Sequence, residues 1–439
     1  MASQLAAKRA TTLASLDRSV LESLVLQQLS RGLLSDVDVS LASSEAESST
    51  GLFDALSEDL LIMVMQALWL RHSGSACTHA TGDLLKVCTV VCKRWRLLRY
   101  CAALWERVMV NSHVFDEKGL RKFVAWLPDK SAVNTLAMVG TGDGRIGEAA
   151  AAEAIASFPS LRKLKLVGQH KAGLINGLVR LNFANVEKFV FDPPGQMGAA
   201  SVVKLISRMP KLRHLKACEG QLTNKLFTDA AVIALPKLES IVYLPEGREN
   251  PWNDKLSLKG LFRMWTAFPD LQLLRTPMCH IAEDAEFLES SVENIMPTRL
   301  VTLHLQRLCN FAGPHLSDAA LSKLLEFVGK SCPMLYHLTV CHGRKYVNAG
   351  EYKRDGYPPL PALSVFAWAR HLPDTLETLE LRDIDVRTDP SIPNGALPNL
   401  RQLTLRNCPG SDELIGALLN SCPMLSAHAC TKMGDPGRW

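Results

Sequence analysis

Between Leu400 and Leu425 the chain reads LRQLTLRNCPGSDELIGALLNSCPML. Leu400, Leu403 and Leu405 fall in the order L-x-x-L-x-L, and alternation puts Leu403 and Leu405 on one face of a short strand. Asn407 to Gly410 is turn chemistry. Ser411 suits a helix N-cap, and Asp412 and Glu413 suit a first turn, where the helix dipole favours negative charge. Leu414, Ile415, Leu418 and Leu419 line one helical face. Pro423 ends that helix, and the next strand starts at Leu425. One strand and one helix of this size cannot bury their apolar faces alone. The pattern therefore predicts copies on either side.

The copies are present. Strand-starting residues recur at Val133, Leu161, Val186, Leu212, Leu238, Leu271, Leu300, Leu335, Leu376, Leu400 and Leu425. The steps from 161 to 238 are 25, 26 and 26 residues, and those from 376 to 425 are 24 and 25. Pro159, Pro210, Pro236, Pro269, Pro333, Pro398 and Pro423 each stand two residues before a start and mark where a helix gives way to a strand. Thr228-Asp229, Ser317-Asp318 and Ser411-Asp412 repeat the helix-start chemistry. This is a leucine-rich repeat of the longer, helix-bearing kind, running over residues 111–439 with about 10–11 copies. The expected class is α/β: a curved parallel sheet inside, helices outside, leucines between, each repeat touching its neighbours.

The first 110 residues are different. Leu16, Val20, Leu24 and Leu29 fit one short amphipathic helix, and Ser35 to Thr50 reads as a Ser-rich, acidic linker. Residues 1–50 are expected to be a partly disordered extension. In residues 51–110, Ser57 suits an N-cap ahead of Leu60, Leu61, Val64, Met65 and Leu68. A polar break at Arg71–Gly82 precedes a second helix through Leu84, Leu85, Val87, Cys88 and Val91. Such a small all-α domain is near the lower size limit for folding alone.

Here a family resemblance enters. Leu52-Phe53-Asp54-Ala55-Leu56-Ser57-Glu58-Asp59-Leu60-Leu61, then Val87-Cys88-Thr89-Val90-Val91-Cys92-Lys93-Arg94-Trp95, then Leu104-Trp105, resembles the F-box. Ser57 replaces the proline usual in that family, and the break at 71–82 is longer than its usual first connection. Leu303-x-Leu305…Cys332-Pro333-x-Leu335 and Leu403-x-Leu405-x-x-Cys408…Cys422-Pro423-x-Leu425 resemble the cysteine-containing repeats that often follow an F-box. The resemblance implies a substrate-recognition subunit of a Skp–cullin–F-box ubiquitin ligase that binds a Skp-type adaptor. Leu56, Leu60, Leu61, Val64, Val91, Lys93 and Trp95 are then the candidate adaptor contacts, and Trp95 and Trp105 are equally candidates for core. The alternative is a non-ligase scaffold in which the same helices only cap the open end of a solenoid.

Composition adds limits. Of 439 residues, 47% are hydrophobic and 21% charged, which marks a globular chain. The net charge of +5 does not by itself argue for nucleic acid. No apolar run approaches the roughly 20 residues that span a bilayer, and no secretory signal is expected. The opening MASQLAAKRATTLASLDR is basic before Asp17, as in a transit peptide or a floppy terminus. The twelve cysteines read as reduced, mostly buried thiols, and a cytoplasmic or nuclear location follows.

No catalytic constellation stands out, and neither a cofactor nor a metal is expected. Thr141-Gly142-Asp143-Gly144-Arg145-Ile146-Gly147 lacks a phosphate-loop lysine and reads as a turn. Cys77, His79, Cys88 and Cys92 could be drawn as a zinc site, but Cys88 and Cys92 fall in the second helix, where one at least should be core, so no metal is expected. Cys218, Cys309, Cys332, Cys341, Cys408, Cys422 and Cys430 read as packing at strand and helix ends. The informative positions are the third and fifth of each L-x-x-L-x-L, which point away from the core. They include Lys163, Lys165, Lys188, His214, Lys216, His304 and His337, with Arg382 and Arg406 one step further and Glu380 the one acid. A stripe of one sign favours an anionic ligand, such as an acidic or phosphorylated protein segment. Without interleaved aromatics it does not suit nucleic acid. The long interval from Leu335 to Leu376 carries Tyr346, Tyr352 and Tyr357, residues that interfaces favour as anchors. The expected partners are thus a Skp-type adaptor with its cullin ligase and a protein substrate, not nucleic acid or membrane.

Overall fold

A computed structural model of the chain describes residues 101–112, 115–141, 146–169, 172–192, 199–218, 237–244, 256–257, 261, 264–265, 267–280, 298–309, 318–342, 362–364, 369–387 and 395–433. The chain divides into two compact units, Met1–His170 and Lys171–Trp439.

In the first unit, β1 (Arg107–Asn111), β2 (Thr135–Thr141) and β3 (Lys163–Gln169) form a parallel sheet in sequence order. Val108 pairs with Leu136, and Leu136 with Leu164, so each apolar position stacks on its equivalent. β1 has no leucine and is missing from the starts read off the sequence; the alternation of its buried Val108 and Val110 makes it a strand. Helices α1 (Glu117–Trp126) and α2 (Glu148–Ala156) complete the repeats. Asp116 caps α1 by accepting a 2.6 Å hydrogen bond from the Gly119 N–H. Leu104 and Trp105, in a 3-10 turn over Ala102–Trp105, are almost fully buried. Trp105 meets Phe123 and Trp126 of α1 edge-on, at 6.0 and 5.4 Å between ring centres.

The second unit repeats the plan. Its strands are β4 (Lys188–Asp192), β5 (His214–Cys218), β6 (Ser240–Leu244), β7 (Leu256–Ser257), β8 (Leu273–His280), β9 (Thr302–Cys309), β10 (His337–His342), β11 (Ala362–Ser364), β12 (Thr378–Arg382), β13 (Asp385–Arg387), β14 (Gln402–Arg406) and β15 (Cys430–Met433). The main sheet runs β4-β5-β6-β8-β9-β10-β12-β14-β15, wholly parallel; β7 pairs with β8, and β11 with β13 in a separate two-stranded sheet. Helices α3 (Ala172–Val179), α4 (Ala199–Ile206), α5 (Asp318–Ser331) and α6 (Ser411–Ser421) connect strands. The fold is the leucine-rich-repeat solenoid that the spacing predicts. No helix among the described residues is long and apolar enough to cross a membrane.

The turn before each strand explains the prolines. The Leu161 N–H donates to Phe158 O across Pro159, and Leu212 to Met209, Leu271 to Phe268, Leu335 to Cys332, Leu400 to Leu397 and Leu425 to Cys422 do the same, at 3.0–3.3 Å. Proline at the second position presets the φ this turn needs. The first leucine of L-x-x-L-x-L therefore belongs to the turn, and the strand begins two residues later. That leucine still plugs the core: Leu161, Leu212, Leu271, Leu335 and Leu400 are all buried. Each such side chain contributes about 1.5–3 kcal/mol relative to exposure.

Ser411 is not the cap of α6, contrary to the sequence expectation. Gly410 holds that position with φ +74°, and Ser411 is the first helical residue, buried and without a capping hydrogen bond. The reason is space: a Cβ on Gly410 would lie 2.2 Å from the Val386 carbonyl oxygen of the neighbouring repeat.

Candidate ligand-binding face

Strand alternation divides each strand into a core side and an outer side. Phe189, Phe191, Ile241, Leu274, Leu303, Leu305, Leu379 and Leu381 are fully buried on the core side. The parallel register then lines up the outer residues in rows. In the second unit one row runs Lys188, His214, Ser240, Leu273, Thr302, His337, Thr378, Gln402, and the next Val190, Lys216, Val242, Arg275, His304, Thr339, Glu380, Thr404. Five of the substrate-contact candidates read from the sequence thus lie on two adjacent rows, Lys188, His214, Lys216, His304 and His337, joined by Arg382 and Arg406 one step along from Glu380 and Thr404. In the first unit Lys163 pairs with Thr135, and Lys165 with Ala137, on the outer side of β3.

Two parts of this face differ in charge. On β12 and β14, Arg382 and Arg406 are register partners. Glu380 lies between them. Arg382 Nε donates to Glu380 Oε1 at 2.8 Å, and Arg406 Nε lies 2.8 Å from the same oxygen as an ion pair without hydrogen-bond alignment. The one acid read in the stripe is therefore shared by the two arginines at that end and offsets one of their two charges. On β4 to β8 the cations are Lys188, Lys216 and Arg275, which form no ion pair among the described residues.

A hydrogen-bonded chain joins the two parts. Thr339 Oγ1 donates to Glu380 Oε2 at 3.4 Å and lies 2.8 Å from His304 Nδ1. The two contacts share one hydroxyl proton, so which group donates at 2.8 Å depends on the histidine tautomer. Burial, reinforced by the neighbouring Arg275, lowers the pKa of His304 from its ordinary value, with Glu380 opposing. Burial and then Lys188 likewise lower that of His214.

Arg275 is the residue the sequence reading missed. Leu271-Gln272-Leu273-Leu274-Arg275-Thr276 has threonine where the motif calls for its last leucine. Thr276 is fully buried there and satisfies its hydroxyl by donating to the His304 carbonyl at 3.1 Å. Pairing that substitution with the regular leucines at 271 and 274 was the available signal. Arg275 Nε is buried and has no hydrogen-bond partner among the described residues.

The adaptor candidates Leu56, Leu60, Leu61, Val64, Val91, Lys93 and Trp95 lie outside the described residues, as do Tyr346, Tyr352 and Tyr357 and the Cys77, His79, Cys88, Cys92 group. Of the repeat cysteines, Cys332, Cys408 and Cys422 are buried, and Cys341 and Cys430 are half-buried.

No family model and no curated protein matches the chain. Among solved structures it is similar to one titled the complex of Rad7 and Elc1 in yeast, at 14% identity and TM-score 0.42, over 96% of this chain and 97% of that one. It is also similar to the plant peptide hormone receptor RGFR1 in complex with RGF2, at 14% and 0.31, over 69% and 43%. A third likeness is to the mouse RP105/MD-1 complex, at 11% and 0.20, over 74% and 61%. At these distances they assign no function.

Proposed function

We propose that the chain is the substrate-recognition subunit of a Skp–cullin–F-box type ubiquitin ligase. It has no chemistry of its own in this reading. The segment 51–110 binds a Skp-type adaptor, and the solenoid holds an acidic or phosphorylated protein segment on its strand-lined face. Catalysis then comes from proximity, by holding the substrate where a ligase assembled elsewhere can reach it. The observation that carries the reading is the order of the chain: the F-box-like run Val87 to Trp95 and the Leu104–Trp105 pair stand directly ahead of a leucine-rich-repeat sheet.

One observation favours the second reading, a scaffold with a helical cap. Trp105 is packed against Phe123 and Trp126 of α1, as a capping element would be. The two separate in a pull-down with a Skp-type adaptor. The wild-type chain is expected to be retained and a Leu60→Asp/Leu61→Asp double variant lost. Equal failure of both leaves the cap reading alone.

A further inference from the structure

The outer rows of the second unit are not uniform in polarity. From β9 to β14 they carry uncharged hydrogen-bonding side chains, Thr302, Thr378 and Gln402 in one row and Thr339 and Thr404 in the other, with His304 and His337 among them. The arginines at that end already share Glu380. The cations outside any ion pair of the described residues, Lys188, Lys216 and Arg275, all stand on β4 to β8.

Two half-buried aliphatic side chains stand at the same place. Val242 of β6 lies between Lys216 and Arg275 in one row, and Leu273 of β8 is its diagonal neighbour, two residues before Arg275. Val190 is the one other aliphatic side chain in either row, and it is buried. Neighbouring strands are about 4.8 Å apart, so the Cα atoms of Lys216 and Arg275 are roughly 10 Å apart, and a carboxylate over Val242 is within reach of both long side chains. Arg275 Nε is buried without a hydrogen-bond partner among the described residues, which leaves a donor for such an acceptor. Leu273, one diagonal step away, can take an aliphatic side chain carried by the same residue as the carboxylate.

This distribution separates two sources of negative charge. An acidic segment carries carboxylates on side chains along its length and calls for cations spread along the face. A chain end carries one carboxylate, beside the side chain of its last residue, and the backbone behind it asks only for hydrogen bonds. The face has the second pattern: cations and aliphatic groups together on β5 to β8, and neutral hydrogen-bonding groups beyond. We infer that Lys216, Val242, Leu273 and Arg275 form a seat for the carboxyl terminus of a protein chain that ends in an aliphatic residue, with the residues before it crossing β9 to β14. This rests on the reading of the strand-lined face as the substrate surface, and within that reading it takes the chain end rather than acidic side chains as the source of charge.

The test immobilises the full chain and offers two pools of N-acetylated decapeptides of random sequence, one with free carboxyl termini and one amidated. The free pool is expected to be retained, enriched in Leu, Ile, Val and Met at the last position, and the amidated pool is not. A retained peptide remade as its amide should bind about tenfold more weakly, as for lost hydrogen bonds to a charged group. Glycine in place of its last residue should also cost about tenfold, as for a leucine no longer buried. Arg275→Gln should shrink the difference between acid and amide about fivefold, and Lys216→Gln provides the same readout should Arg275→Gln not fold. Leu273→Ser should remove the aliphatic preference and keep that for the free carboxylate. Arg406→Gln should change neither by more than about twofold. Equal retention of the two pools, enrichment of internal Asp or Glu without a last-residue preference, an equal loss from Arg406→Gln, or no retention overturns the seat. N-acetyl-leucine competing as well as a retained peptide overturns the protein chain end as its ligand. Adaptor capture is scored separately: captured adaptor without a carboxyl-terminal preference removes only this inference, whereas the preference without adaptor removes only the ligase reading.

Discussion

Arg406 Nε lies 2.8 Å from Glu380 Oε1, the same oxygen that Arg382 holds. Two arginines that are neighbours across β12 and β14 are thereby kept together by one carboxylate. Glu380→Gln should leave the two guanidinium groups facing each other and remove an acceptor from Thr339. Both arginines are partly solvated, so the expected loss is modest, about 1–2 kcal/mol. Added salt should shrink the loss by screening the repulsion. Thermal melts at low and high ionic strength test this; a loss independent of salt would argue against the charge explanation.

Two glycines of one helix should respond in opposite directions. Gly410 sits at φ +74° with the Val386 carbonyl oxygen where a methyl would go. Gly410→Ala should destabilise by about 1–3 kcal/mol. Gly416 lies within α6 with nothing near its missing Cβ. Gly416→Ala should stabilise by about 0.5–1 kcal/mol. Urea denaturation of the pair measures both.

The partly buried histidines predict a pH dependence. Burial lowers the pKa values of His214, His304 and His371 from their ordinary value of 6.5. The unfolded chain then binds more protons than the folded one in the window just below 6.5, so stability falls as pH drops through it. Asp129 and Glu326 are shifted down from the usual carboxylate range, so their contribution is lost only at lower pH. Melting should therefore weaken between about pH 7.5 and pH 5.5, and His304→Gln should flatten part of that slope. An unaltered slope in that variant would show that His304 is not a source of it.

The thiols should differ in reactivity. Burial pushes Cys332 up to about 12 and Cys408 up to about 11, and raises Cys422 as well. The thiolate is the reactive form, so these three should resist alkylation in the folded chain. Mass mapping after brief iodoacetamide treatment should find them unmodified until denaturant is added.

The periodic leucines and the prolines two residues before them determined the repeat, its class and most of its strand positions. A residue that fills the core or presets a turn does so through local geometry, which a sequence states directly. Tertiary structure alone decided three things. The first leucine of each motif joined the turn, because the Pro-containing turn's hydrogen bond ends on it. Gly410 displaced Ser411 as the cap of α6, because the neighbouring repeat's backbone passes too close for any side chain. The row of outer residues became two electrical regions, because register set Glu380 beside both arginines and placed no carboxylate of the described residues in an ion pair with Lys188, Lys216 or Arg275. Such pairings depend on which residues of different repeats fall opposite one another. Individual repeats do not carry that information, and the sheet register supplies it.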